Sequence, residues 1–214
     1  MTDSTQPPSP RKRRAPKGEK RREELLDAAL QLFSLEGFGG TSIARIADIV
    51  GISVAGVLHH FPSKSALLMA VLERRDEVNL KIAEEVRREL SLTGLLDSLR
   101  AINRSNATAP GVVRAFSILN AESLLPGHPA WAWFQSRYEA IHQRSLGQFE
   151  ELQRRGEVRG DVNVSGVVQE ILAMMDGLQL QWLRFPETFD LVGRFDDYIA
   201  HLDASIRHPD MARP

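Results

Sequence analysis

The side chains best suited to bind a polyanion lie between Thr41 and Lys64. Two hydroxyl residues open this stretch, two adjacent histidines lie near its end, and a lysine closes it. Hydroxyl and ammonium groups donate hydrogen bonds to phosphate oxygens. Lys64 would lie in the first turn of a following helix, where backbone N–H groups and the helix dipole already favour phosphate. The chemistry that this spacing predicts is non-covalent binding of a nucleic-acid backbone.

Signatures of catalysis are absent from the sequence. It contains no Gly-x-Ser-x-Gly elbow, no His-Glu-x-x-His pair, no phosphate loop and no dinucleotide fingerprint. It has no cysteine, which excludes thiol catalysis, disulfides and cysteine metal sites. His59 and His60 are adjacent, so they do not share a helix face as two metal ligands would. We therefore expect no enzyme, no metal and no cofactor; turnover lost on mutating a single acidic or histidine residue would revive the enzyme hypothesis.

A helix, a tight turn and a second helix are predicted to carry these side chains. Thr41 and Ser42 stand where the first helix needs an N-cap, and apolar residues follow at helical spacing. The small Ala47 lets a second helix approach, Gly51 tolerates the positive φ of a tight turn, and Ser53 can cap the second helix. This arrangement suits a helix that enters a DNA major groove, although any compact helix pair shows the same pattern.

Composition and charge describe an ordinary globular chain with one basic end. Of the 214 residues, 43% are hydrophobic and 26% charged, which allows one domain or two small ones. Residues 1–22 carry eight basic and two acidic side chains, so the net charge of −1 leaves −7 for the remainder. Only one end should therefore meet a polyanion. Neither a membrane-length apolar run nor a secretory signal is present, and we expect a cytoplasmic protein without membrane contact.

The segment from about residue 20 to 70 carries a set of motifs with a familiar spacing. They are Ala28–Phe33 (AALQLF), Gly37-Phe38, Thr41-Ser42, Ile46-Ala47, Gly51-Ile52-Ser53 and His60–Lys64 (HFPSK) leading into Ala66-Leu67-Leu68. With these motifs the segment resembles the N-terminal domain of TetR-family (tetracycline-repressor-like) transcriptional regulators. The resemblance implies an all-α fold, in which a three-helix helix-turn-helix domain is joined to an all-helical effector and dimerisation domain.

The same resemblance implies which residues meet a double-stranded operator. They are Thr41, Ser42, Lys64 and more weakly Arg45 on phosphates, Ser53, Val54, Ala55 and Gly56 on base edges, and His59 and His60 on either. The family usually has a tyrosine where this chain has Leu58, and often a polar residue at Gly56. Val54 and Ala55 offer a thymine methyl apolar contact but little hydrogen bonding. Recognition of the operator should then depend on contacts to the DNA backbone, on the basic N-terminal arm (residues 1–18) and on DNA shape.

The expected organisation has four parts: a disordered basic arm (1–18), the helix-turn-helix domain (19–66), a helical ligand-binding and dimerisation domain (67–208) and a frayed tail (209–214). Helix 4 is predicted to reach about residue 90, and further helices lie near 93–107, 112–125, 130–155, 164–184 and 188–207. The last two helices are apolar on more than one side, which favours a four-helix interface with a second copy.

The resemblance implies that some large and polar side chains of the second domain line an apolar ligand cavity, although such residues at helical spacing are usually core packing. The candidate lining residues are Phe116, Asn120, Trp131, Phe134, Tyr138, Met175 and Gln179. The expected function is that of a homodimeric, sequence-specific DNA-binding regulator. We expect a repressor that a small apolar or amphipathic effector releases from its operator. The alternative is a non-specific or architectural DNA-binding protein without ligand control.

Overall fold

The chain folds entirely into helices over the part that the structure, a computed structural model, describes: residues 17–87 and 89–210. The helices are α1 (Lys17–Gly40), α2 (Ile43–Val50), α3 (Val54–His60), α4 (Lys64–Val86), α5 (Leu92–Ala107), α6 (Pro110–Ser123), α7 (Trp131–Arg154), α8 (Val164–Arg184) and α9 (Leu191–Ile206). One isolated antiparallel bridge joins Val158 to Arg207, and no strand forms within the described ranges. The predicted all-α class is confirmed. Of the predicted basic arm and tail, all but residues 17, 18, 209 and 210 lie outside the described residues.

Polar side chains cap the start of most helices. Each accepts a hydrogen bond from a backbone N–H three residues further on, which satisfies a donor that the helix itself leaves free. The caps are Ser42 for α2, Ser53 for α3, Ser63 for α4, Ser91 for α5, Asn163 for α8 and Asp190 for α9. The serine caps of α2 and α3 match those that the sequence predicts.

Several predicted boundaries differ from the structure by one to four residues, and three of the differences have a local cause. Helix α4 ends at Val86 rather than near residue 90, because the chain must turn before Ser91 caps α5. Helix α6 begins at Pro110 rather than at 112, since proline is well suited to the first helical position. Helix α9 begins at Leu191 rather than at 188, because Asp190 provides its cap.

A first apolar core joins the helix-turn-helix to part of the predicted effector region. It combines Phe33 of α1, Ile46 of α2, Val57 of α3, Leu68 of α4 and Leu119 of α6, all fully buried. The start of α7 completes it with Phe134. Helix α6 therefore packs on α1 and shares one core with the first four helices.

A second core lies among the remaining helices. Leu96 of α5, Phe149 of α7, Ile171 of α8 and Phe195 of α9 are buried there at 5% exposure or less. Within the described residues, no single helix is long and apolar enough to cross a membrane. Among the described helices, only α2 and α3 taken together have the length and apolar composition of a membrane span, and this pair is bent by 99°.

Candidate nucleic-acid interface and effector cavities

A sharp turn between α2 and α3 sets the direction of α3. Gly51 adopts φ 71° and ψ 40°, a left-handed conformation that glycine adopts without strain. The N–H of Ile52 donates to the carbonyl of Ala47 at 3.0 Å and closes the turn. The two helices meet at 99°, with the fully buried Val57 anchoring the inner side of α3. The opposite side of α3 is left uncovered by the other described residues.

The uncovered side of α3 is poor in hydrogen-bonding side chains. Val54 and Leu58 are 43% and 41% exposed there, and Ala55 and His59 are also exposed. Gly56 and His60 are half-buried. Ser53 is exposed, but its Oγ already accepts the N–H of Gly56 at 3.1 Å as the helix cap. The side chains predicted to face base edges thus lie together on one surface.

The predicted phosphate contacts at α2 differ in their accessibility. Ser42 and Arg45 are exposed. The guanidinium of Arg45 pairs with the carboxylate of Glu36, and that hydrogen bond raises the pKa of Arg45. Thr41 is 2% exposed, and its hydroxyl donates to the carbonyl of Gly37 at 2.8 Å. The structure gives Thr41 an internal role, and a phosphate contact from its side chain stays a prediction.

Helix α1 is broken at Gly37 (φ 67°, ψ −174°), and residues 37–42 form the turn that leads from α1 into α2. The ammonium group of Lys64 fastens α4 to this turn. Its Nζ donates to the carbonyl oxygens of Phe38 at 2.7 Å and Thr41 at 2.9 Å. It also lies 4.1 Å from the centroid of the Phe38 ring, a cation–π distance. An ammonium has three donors, so one remains after these two bonds. Sequence reasoning predicted a phosphate role for Lys64 and missed this internal one.

A carboxylate from α6 reaches the same turn. Glu122 Oε2 accepts the backbone N–H of Phe38 at 2.8 Å. A Cβ added at Gly37, which has φ 67°, would lie 2.0 Å from Glu122 Oε1 and would displace the carboxylate from this position. The ring of His128 packs edge-on against Phe38 at 5.2 Å, and burial lowers the pKa of His128. The end of α6 therefore holds the turn that orients α2 and α3.

Two cavities lie behind the helix-turn-helix. The larger cavity, about 430 Å³, is bounded by α4, α5, α7 and α8. Its wall is mostly apolar, with charged side chains of both signs: Glu73, Asp76, Glu77, Arg87, Arg137 and Arg144. The smaller cavity, about 230 Å³, lies between α1, α4, α5 and α6. Helix α4 contributes to both walls, and Asn79 lines both.

Only two of the residues predicted to bind a ligand line these cavities: Met175 the larger one and Phe116 the smaller one. Phe134 is core at 3% exposure, whereas Trp131 is 51% exposed at the start of α7. Gln179 is buried, and its Nε2 has no hydrogen-bond partner in the described part of the chain.

Asn120 and Tyr138, also predicted to bind a ligand, belong instead to a hydrogen-bond chain between α6, α7 and α8. Asn120 Nδ2 donates to the Tyr138 hydroxyl at 3.0 Å, and that hydroxyl donates to Asp176 Oδ2 at 2.6 Å. Burial, and then the Asp176 carboxylate, raise the pKa of Tyr138 to about 12.

The sequence analysis missed a cluster of charged side chains between the cavities. Arg137 Nε donates to both carboxylate oxygens of Asp76, at 2.9 Å and 2.8 Å. The guanidinium groups of Arg75 and Arg137 lie 3.6 Å and 4.7 Å from the centroid of the Phe116 ring. A signal existed in the sequence, because Arg75 falls four residues after Val71 and three before Val78 on the apolar stripe of α4.

Known proteins match the chain both locally and over most of its length. Residues 25–71 match the family model of bacterial regulatory proteins of the tetR family. A probable HTH-type transcriptional regulator of Pseudomonas putida, ArpR, is 24% identical over 183 residues, which covers 83% of this chain and 87% of that protein.

Two solved structures share the fold. A TetR transcriptional regulator from Chloroflexus aurantiacus superposes with a TM-score of 0.76 at 21% identity, covering 90% of this chain and 98% of that one. The transcriptional regulator FadR of Bacillus subtilis, solved in complex with stearoyl-CoA, superposes with a TM-score of 0.74 at 16% identity, covering 86% and 99%. The helix-turn-helix geometry, the matched N-terminal segment and the shared all-helical fold agree: the chain carries the N-terminal domain of tetR-family bacterial regulatory proteins and has the fold of such regulators.

Proposed function

We propose that the chain is a homodimeric, sequence-specific regulator of transcription that a small apolar or amphipathic ligand releases from its operator. The observation that carries the proposal is the exposed face of α3, set at 99° to α2 within a matched TetR-family domain. Such a protein represses transcription when its operator overlaps a promoter. In this proposal it acts in the cytoplasm, where bacterial DNA lies.

The DNA contacts follow from exposure around the turn. Ser42 and Arg45 are exposed and reach phosphates, and the remaining donor of Lys64 adds a third contact. Residues Ser53 to Gly56 face base edges, with His59 and His60 at the far end of the helix. Thr41 supports the interface from inside through its bond to Gly37.

A second copy is needed to read two half-sites, about 34–36 Å apart on B-form DNA. The side of α8 that is exposed to solvent in one copy suits the contact with a second copy. Met174 and Leu180 are 36% and 57% exposed there, and the small residues Ala173 and Gly177 lie close to them on the same helix. Burying this face against the same face of a second copy, together with α9, forms a two-fold four-helix interface.

Helix α4 connects the ligand to the DNA in this proposal. Its first residue, Lys64, holds the α1–α2 turn, and its middle forms the wall of the larger cavity. That cavity falls in the size range of small-molecule sites, and the related fold of FadR holds stearoyl-CoA. A ligand that shifts α4 changes the distance between the two α3 helices. Release follows only if the ligand binds the non-binding state more tightly.

Fluorescence anisotropy tests the proposal, with DNA from upstream of the chain's own gene against a scrambled duplex of equal length. A preference of roughly 10³-fold that persists at higher salt supports a specific regulator. A ligand screen on that complex then tests release. If no compound in a broad screen changes operator affinity while the protein stays folded, ligand control is wrong.

The bare face of α3 favours a second candidate, a non-specific or architectural DNA-binding protein. Val54, Gly56 and Leu58 supply no hydrogen-bonding group to a base edge. This candidate predicts equal binding to both duplexes, lost together as the salt concentration rises.

A further inference from the structure

The smaller cavity has a wall with a single sign of charge. Of the described residues that line it, two are arginines, Arg74 and Arg75, and none is acidic. The larger cavity, in contrast, has three acidic and three basic side chains in its wall. Three neutral polar residues, Asn79, Ser105 and Asn106, complete the smaller cavity, and the rest of its wall is apolar. Such a wall favours an anion that has an apolar body.

The two arginines differ in how their charge is satisfied. Arg74 Nη1 pairs with Glu23 at 3.0 Å and with Asp27 at 2.9 Å on the surface. Arg75 makes no hydrogen bond or ion pair with any described residue, and its Nε and Nη1 are shielded from solvent. Its guanidinium stacks 3.6 Å from the Phe116 centroid. Burial lowers the pKa of Arg75 to about 10, so the side chain stays charged at neutral pH.

A shielded cation without a contacting anion is costly. The acidic neighbour in sequence, Asp76, is already engaged by both of its oxygens with Arg137. A second hydrogen-bond donor in the cavity wall also lacks a partner among the described residues. Asn106 of α5 is 5% exposed, and its Nδ2 has no partner among the described residues. Two unsatisfied donors from different helices therefore belong to one cavity.

We propose that the smaller cavity binds a small organic acid, whose carboxylate accepts hydrogen bonds from Arg75 and Asn106. The apolar body of the acid packs against Val71, Val112 and Leu119. Only stacking holds the Arg75 guanidinium, so turning it toward the cavity breaks no hydrogen bond. A planar guanidinium matches a carboxylate with two parallel hydrogen bonds.

The cavity volume sets the size of the acid. A protein cavity of about 150 Å³ accommodates benzene. The 230 Å³ here leaves room for an aromatic ring with a short carboxylate-bearing arm. This site lies apart from the larger cavity, and its occupancy does not depend on whether the chain binds an operator.

Isothermal titration of the full chain without DNA tests the proposal. The probes are phenylacetate and phenylacetamide, which share their shape and differ in charge. The acid should bind at least about tenfold more tightly than the amide, because charge-assisted hydrogen bonds are the stronger ones. Equal affinity of acid and amide, or no binding of the acid at millimolar concentration, overturns the proposal.

Matched variants locate the site. Arg75→Met should weaken phenylacetate binding at least about tenfold and leave the affinity for phenylacetamide unchanged. Arg75→Lys should retain part of the affinity for phenylacetate, because it keeps the positive charge. Arg74→Gln is the control, since that arginine is already paired. Val112→Phe fills the cavity and should block the acid without changing its charge.

Thermal melting of each variant separates loss of binding from loss of folding. Arg75→Met removes an unpaired shielded charge, so the free variant should melt no lower than the original chain. A folded Arg75→Met variant that binds phenylacetate normally contradicts the proposal. Because no DNA is present, this result is independent of operator binding.

Discussion

The carboxylate of Glu122 on α6 accepts the backbone N–H of Phe38, 84 residues earlier in the chain, at 2.8 Å. This bond fixes the turn between α1 and α2 to the helix that forms part of the smaller cavity. Lys64 holds the same turn from the other side. The orientation of α2 and α3 thus depends on two sets of contacts made by residues outside them, from Glu122 and from Lys64.

Replacing Glu122 by alanine should lower the free energy of unfolding by about 1.5–3 kcal/mol, the range for hydrogen bonds to charged groups. Urea denaturation measures this loss. Glu150→Ala removes an exposed carboxylate elsewhere and serves as the control. Equal midpoints for the two variants would mean that the Phe38 bond contributes nothing.

Gly37→Ala should also destabilise the chain, by more than about 1 kcal/mol, because φ is 67° and the new Cβ meets the Glu122 carboxylate. Gly39→Ala is the control, since a Cβ there has open space. Combining Gly37→Ala with Glu122→Ala removes the clash but not the backbone strain. The loss in the double variant should therefore be smaller than the sum of the single losses.

Stability should depend on pH through His128. Burial lowers the pKa of His128 in the folded chain, so the unfolded chain takes up a proton first as the pH falls. The stability present above the ordinary histidine pKa of about 6.5 is therefore lost as the pH drops below it. Unfolding measured between neutral and mildly acidic pH should show a shallower slope for His128→Gln. His201→Gln, at an exposed position, should keep the original slope.

Removing the Arg45 guanidinium should weaken binding to any DNA sequence alike. Arg45→Gln deletes one phosphate contact, so the slope of log affinity against log salt should fall by about 1. Anisotropy titrations over a series of salt concentrations measure it. Lys81→Gln, an exposed basic residue of α4 remote from the turn, should leave the slope unchanged. An unchanged slope for Arg45→Gln would remove this residue from the interface.

Placing a charge on the outer face of α8 should separate the proposed dimer. Leu180→Glu buries a carboxylate at the proposed interface, whereas Leu124→Glu changes a more exposed leucine just after the end of α6. Light scattering after size exclusion should give half the original mass for the first variant and the original mass for the second. Loss of operator binding should accompany the loss of mass, because two half-sites need two copies.

The helical architecture was predictable because its signals are local. Ser42 and Ser53 cap α2 and α3 as their positions indicate, and Gly51 provides the left-handed turn. The boundaries that were wrong depend on competing caps a few residues away, such as Ser91 after α4. Periodicity and capping operate within one turn of helix, so one sequence is enough to find them.

The cavities and the internal role of Lys64 were not predictable in the same way. Lys64 finds its carbonyl partners 23 and 26 residues away, and Arg75 and Asn106 line one cavity from two different helices. Large side chains such as Phe134 and Trp131 share the apolar character of cavity walls but lie in the core and on the surface. Which apolar residue faces a void depends on helix packing, which spacing alone does not specify.

The core that includes Leu119 of α6 together with Phe33 of α1 makes the DNA-reading half of the molecule discontinuous in sequence. A fragment that ends within α4 would leave the α6-facing side of α1 in water, and we expect it to aggregate rather than fold. Chimeric regulators that exchange N-terminal heads between relatives would need matching surfaces on α6. A working chimera would therefore have to preserve the packing between α1 and α6, and joining the two segments at α4 alone would not be enough.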